Sequence, residues 1–125
     1  MLGSNQMQLP SFDKDHYELD NGEEIHQSAP ETFWIPDKKL RESLLVGDLV
    51  KLIFRMKETF GSEEISVERM WVEVTHVHKN CYEGKLNNEP YGSNCVNCGQ
   101  IVFFQPCHII NIFEEDNTWQ STIEV

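Results

Sequence analysis

Glu68-Arg69-Met70-Trp71-Val72-Glu73-Val74-Thr75 is the stretch on which the fold turns. Successive side chains of a strand point to opposite faces, so Met70, Val72 and Val74 share one face while Arg69, Trp71, Glu73 and Thr75 share the other. Only the first is an ordinary core face. The segment therefore reads as a strand with one face in the core and one turned outward.

On its N-terminal side, Leu49-Val50-Lys51-Leu52-Ile53-Phe54 repeats the pattern, with Val50, Leu52 and Phe54 on one side. The polar stretch 57–66 between the two reads as a loop. On the C-terminal side, Tyr82–Leu86, Ile101–Phe104 and Ile109–Phe113 read as three further strands. Asn87-Asn88-Glu89-Pro90-Tyr91-Gly92 is rich in turn formers, and Pro106-Cys107-His108 fills a short break. Pro36 and Asp37 suit the opening of a helix, and Leu40 and Leu44 lie four apart, which predicts one short helix near 37–45. Gly47-Asp48 and Gly99-Gln100 each precede an apolar strand, where glycine supplies the backbone freedom of a tight turn. The expected fold is α+β, mainly antiparallel β-sheet, curled or closed into a small open barrel.

The chain has 125 residues, room for a single domain with one real core. Its 39% hydrophobic and 25% charged residues make a globular composition, with no run of the ~18 apolar residues that a membrane span requires. The first twenty residues lack the basic and apolar regions of a secretory signal, which sets the expectation of a cytoplasmic protein whose four cysteines are free or metal-bound. Of the net charge of -11, residues 1–31 hold -6, from seven acids against Lys14 alone. Residues 1–29 accordingly read as a loosely ordered acidic arm, and 30–125 as the domain. A field of this sign repels phosphate backbones, so nucleic acid is not an expected partner.

Cys95-Val96-Asn97-Cys98-Gly99 has the form of half a zinc site. Two further ligands are required, and the candidates divide between Cys81 with Cys107 and His76 with His78. The pair also reads as two thiols flanking a turn into a strand, and this reading is preferred, so no metal or other cofactor is expected. A redox role would place the first cysteine at a helix N-terminus after a strand, whereas here the pair precedes a strand. The chain has no G-x-S-x-G, no phosphate-binding glycine loop and no H-E-x-x-H. Cys107 and His108 are adjacent, and adjacent residues on a strand face opposite ways, which opposes a catalytic dyad.

The order of four segments resembles a known family: Gly47–Phe54, Glu68–Val74, Gly84–Pro90 and Gly99–Ile110 are similar to the bacterial domain of unknown function DUF2314, the YegJ-like family, over roughly residues 31–113. The resemblance implies a small β-rich bacterial domain with no established activity, and it offers no catalytic residues to carry over. The Cys-x-x-Cys does not belong to the family pattern.

These readings lead to a non-enzymatic protein-binding module, of an immunity-like, antitoxin-like or regulatory kind, with another protein as partner. Arg69 and Trp71, of residue types enriched in binding hot spots, and Asn88 in the nearby turn are the candidate contact residues. Trp71 has a second reading, packed beneath a loop or the helix. A zinc-stabilised module and a small-molecule-binding or hydrolytic barrel are the competing classes.

Overall fold

The computed structural model describes residues 8–114. Its elements in chain order are α1 (Phe12–Asp15), β1 (Tyr17–Leu19), α2 (Gly22–Ser28), α3 (Lys38–Arg41), β2 (Leu49–Lys57), β3 (Ile65–Val77), β4 (Tyr82–Leu86), β5 (Ile101–Phe104), a 3-10 turn (Pro106–His108) and β6 (Ile109–Ile112). Strands β2 to β5 form an antiparallel meander. The free edge of β2 is divided: β1 pairs with Phe54, Arg55 and Met56, and β6 with Val50, Lys51 and Leu52. The fold is thus the expected α+β class, a curled antiparallel half-barrel with few short helices.

The alternation seen in the sequence builds the core. Val50, Leu52, Phe54 and Met56 of β2 point inward against Met70, Val72 and Val74 of β3, and Tyr82, Leu86, Val102, Phe104 and Ile109 complete the concave side. Burial of this apolar surface is the main stabilising term. Gly84 sits on the inner face between Tyr82 and Leu86, where a Cβ would meet the Glu73 carbonyl oxygen at 2.6 Å, so the close approach of β3 and β4 depends on its missing side chain. Gly47 and Gly99 both take positive φ, 99° and 93°, as the two turns into strands require.

Three expectations are corrected. Residues 8–29 are not a loosely ordered arm. Tyr17 is buried in the main core and stacks on Phe54 at 5.5 Å, and Asp20 holds the exposed Arg55 through bonds of 2.9 and 3.1 Å. Asp20 and Glu23 pair with Arg55 and Arg41 of the domain, and the few apolar residues fill positions that β2 leaves open; residues 1–7 lie outside the described part. The predicted helix near 37–45 is one four-residue turn, and two more short helices precede it. Leu40 and Leu44 do not share a face, since Leu40 is half exposed and Leu44 is drawn into the core after the helix has ended. The polar loop predicted over 57–66 is shorter, because Lys57 pairs with Ile65 across the hairpin.

A second, smaller cluster lies on the convex side. The β2–β6 register slips between Lys51 and Leu52, leaving Ile110 as an unpaired extra residue. Ile110 packs there with Ile35 and Ile53, flanked by Ile25 and Phe33. Arg41 is buried beside this layer, donating to the carbonyls of Pro36 and Pro106 and to the Glu23 carboxylate. Among the described residues, no helix is long and apolar enough to cross a membrane.

Candidate protein-binding face

Beyond the strip covered by residues 22–36, the convex face of the sheet carries the candidates. Register places Lys51 opposite Trp71, and Ile53 opposite Arg69. The Lys51 ammonium lies 4.8 Å from the centre of the Trp71 ring, and Phe113 meets the same indole edge-on at 6.0 Å. Arg69 is exposed and lays its guanidinium 5.6 Å from the Phe33 ring. These contacts hold both cations by the electron-rich faces of aromatic rings rather than by carboxylates. Trp71 realises part of each reading: it is half-buried, packed against Phe113, and belongs to neither apolar cluster.

Asn88 is held differently. Its side-chain oxygen accepts the Trp71 backbone N–H at 2.6 Å, and the Trp71 carbonyl accepts from Asn87 N–H at 2.8 Å. This gives Asn88 an internal job, to cap β3 where β4 has ended and to fix the backbone that carries Trp71. The following loop is tied down by Glu68, whose carboxylate accepts the N–H groups of Tyr91 and Gly92.

Lys51 and the two phenylalanines did not stand out from sequence. Lys51 is visible in the outward alternation of β2, but its place over Trp71 depends on the pairing register. Phe33 lies outside the strands read from the sequence and Phe113 at the end of the last one, and neither position shows which side chain it will meet. Beside this face, Trp34, Pro36, Leu40 and Ile112, with Asp37, Glu114 and Asn111, line a groove of about 120 Å3, and Asn111 pairs with Lys51.

The metal candidates are far apart. Cys98 and Gly99 contact the Leu86 carbonyl, at one end of β4, whereas His76 pairs with Glu83 three residues away, roughly 10 Å along the strand. Cys95 is buried in the main core, Cys98 is exposed, and all four cysteines are free. His76 and His78 both face the Glu83 carboxylate, at 3.5 and 3.2 Å. Among the described residues, no group of three or more His, Cys, Asp and Glu side chains is arranged to hold a metal ion. Burial pushes the Cys81 and Cys107 thiols above their ordinary range, the opposite of what a nucleophile needs. His108 is buried in the 3-10 turn, where its Nδ1 accepts the Gln105 N–H at 2.9 Å. Desolvation lowers its pKa from 6.5 to about 4, against the opposing pull of Asp20 and Glu23.

The concave side is filled by fully buried side chains, among them Phe54, Phe104, Leu52 and Met56. A polar cleft of about 520 Å3 lies outside it, between the β3–β4 hairpin end and Pro106, lined by Glu42, His78, Lys79 and Cys81. Comparison with protein-family models, with curated proteins and with solved structures finds no match to this chain.

Proposed function

We propose that this chain is a non-enzymatic protein-binding module, of a regulatory, immunity-like or antitoxin-like kind, whose contact face centres on Arg69 and Trp71. The observation that carries the reading is the pairing of two cations with an aromatic cluster on the convex face: Lys51 and Arg69 flank Trp71, with Phe33 and Phe113 beside them. Arg and Trp are the side chains that most often dominate binding energy when a partner desolvates them. The resemblance to DUF2314 is compatible with this role and adds a bacterial setting to it.

Among the described residues, the separation of the Cys95/Cys98 pair from His76 and His78 weighs against the zinc-stabilised alternative, and the packed concave side weighs against a ligand held inside the barrel. The test compares capture from a cell extract by wild-type protein, Trp71→Ala and Lys79→Ala, the last on the far hairpin. A partner retained by wild type and Lys79→Ala but lost by Trp71→Ala is the expected result. Equal capture by all three removes the proposed face.

A further inference from the structure

We infer that the group this face receives is a carboxylate, presented by an acidic peptide segment of the partner to Arg69, with an apolar side chain of the same segment laid on Trp71 and Phe113. The inference rests on the binding-module reading and names the chemistry of the occupant.

The chain has three arginines and twice as many acids as bases, 21 against 10. In such a composition an arginine finds a carboxylate easily. Arg41 pairs with Glu23 and Arg55 with Asp20. Arg69 breaks the pattern, since among the described residues no carboxylate lies within ion-pair distance and its guanidinium rests on Phe33 instead. Contact with a ring uses none of the guanidinium's N–H donors, and Arg69 is exposed, so the parallel N–H pair that matches a carboxylate's two oxygens is accessible to a partner. Lys51 is the second cation, diagonal to Arg69 across the β2–β3 ladder, and it too sits on a ring without a carboxylate among the described residues. Two cations set on aromatic rings, with Trp71 between them, define a receptor for an anion with apolar matter attached.

A peptide carboxylate suits this arrangement better than a nucleic acid. The cations are few and interleaved with rings, and the chain's charge of -11 opposes the approach of a polyanion. A single carboxylate is engaged at contact range, where the nearest cations outweigh a distant field screened over roughly 8 Å at physiological salt. The small groove bounded by Trp34, Leu40 and Ile112 adjoins the patch at Asn111, the register partner of Lys51, and it is also lined by Asp37 and Glu114, so the carboxylate is placed at Arg69 and not in the groove.

A displayed library of random peptides, panned in parallel on wild-type protein, Arg69→Glu and Trp71→Ala, tests this. Wild type is expected to enrich peptides with Asp or Glu beside an aromatic or aliphatic residue. Arg69→Glu is expected to reverse the charge preference to Lys or Arg while keeping the apolar position, and Arg69→Lys to bind the wild-type peptides roughly tenfold more weakly through loss of the two-bond geometry. Peptides that need Trp71 but keep the same charge preference on wild type and Arg69→Glu overturn the inference and leave the module reading standing. Enrichment that does not depend on Trp71 overturns both. A urea midpoint for each variant verifies that folded protein is being compared.

Discussion

Arg41 Nη1 meets Glu23 Oε2 at 2.6 Å, joining α2 to α3 across 18 residues of sequence, and the same guanidinium holds the carbonyls of Pro36 and Pro106. One side chain thereby fastens the N-terminal segment and the turn into β6 to each other. The Arg41 carbonyl in turn accepts the Tyr82 hydroxyl at 2.8 Å, which links this junction to the core.

Removing Arg41 should therefore be among the most damaging single changes. Arg41→Ala leaves the Glu23 carboxylate and two carbonyls without their donor and empties a buried position, and we expect a loss of about 3–5 kcal/mol in urea unfolding. Glu23→Gln should cost less, about 2 kcal/mol, because the Glu23 side chain is 35% exposed and water can partly replace it. Equal midpoints for the two variants would contradict this ranking.

Asn88→Ala removes the acceptor from the Trp71 N–H. A backbone donor left without its partner costs about 1–3 kcal/mol, so stability should fall by that order. If Asn88 acts through the backbone that carries Trp71, peptide affinity measured well below the unfolding midpoint should change far less than for Arg69→Ala.

Stability should also depend on pH through His108. Its pKa is about 4 in the folded protein and 6.5 ordinarily, so between these values the unfolded chain binds a proton that the folded chain refuses. Stability is then full above pH 6.5, falls as pH drops toward 4, and loses about 3 kcal/mol over the window. His108→Asn should flatten that slope; an unchanged slope would assign it to other groups.

Thiol accessibility gives a fourth check. Cys98 is exposed, Cys107 half-buried, and Cys81 and Cys95 buried, so Cys98 should react first with a thiol reagent, Cys107 next, and Cys81 and Cys95 only slowly until the protein unfolds. A chelator should leave the order unchanged. Thiols released only by chelation would reinstate a metal site.

The strands were legible because their evidence is local. Tyr82–Leu86 and Ile101–Phe104 have the same bounds in sequence and structure, and the inward triplet Met70, Val72 and Val74 is the buried one. The helix over 37–45 failed because its four-residue spacing competes with the burial of Leu44, and a helix of two turns has little stability of its own to resist. Tyr17–Leu19 was invisible for a related reason. Three residues establish no period, and the strand exists because the far half of β2 needs a partner. For the binding face, the outward direction of Arg69 and Trp71 could be read from alternation. The rings beneath the cations could not, since Phe33 and Phe113 reach them only through the tertiary fold. Asn88 was recognisable as a turn former, but its bond to Trp71 depends on β4 ending one residue before the turn.

The divided edge of β2 also governs the order in which the chain can assemble. β2, β3 and β4 join through neighbouring hairpins, whereas Tyr17 must find Met56 and Ile112 must find Val50, closing far longer loops. Long closures are slow compared with hairpin formation. During that interval a nascent β2 presents the bare backbone of an apolar strand, to which a second nascent chain can add as readily as β1 or β6. Recovery on refolding should thus decline as protein concentration rises, and sequence changes in the two short terminal strands should shift that threshold more than changes in the hairpins.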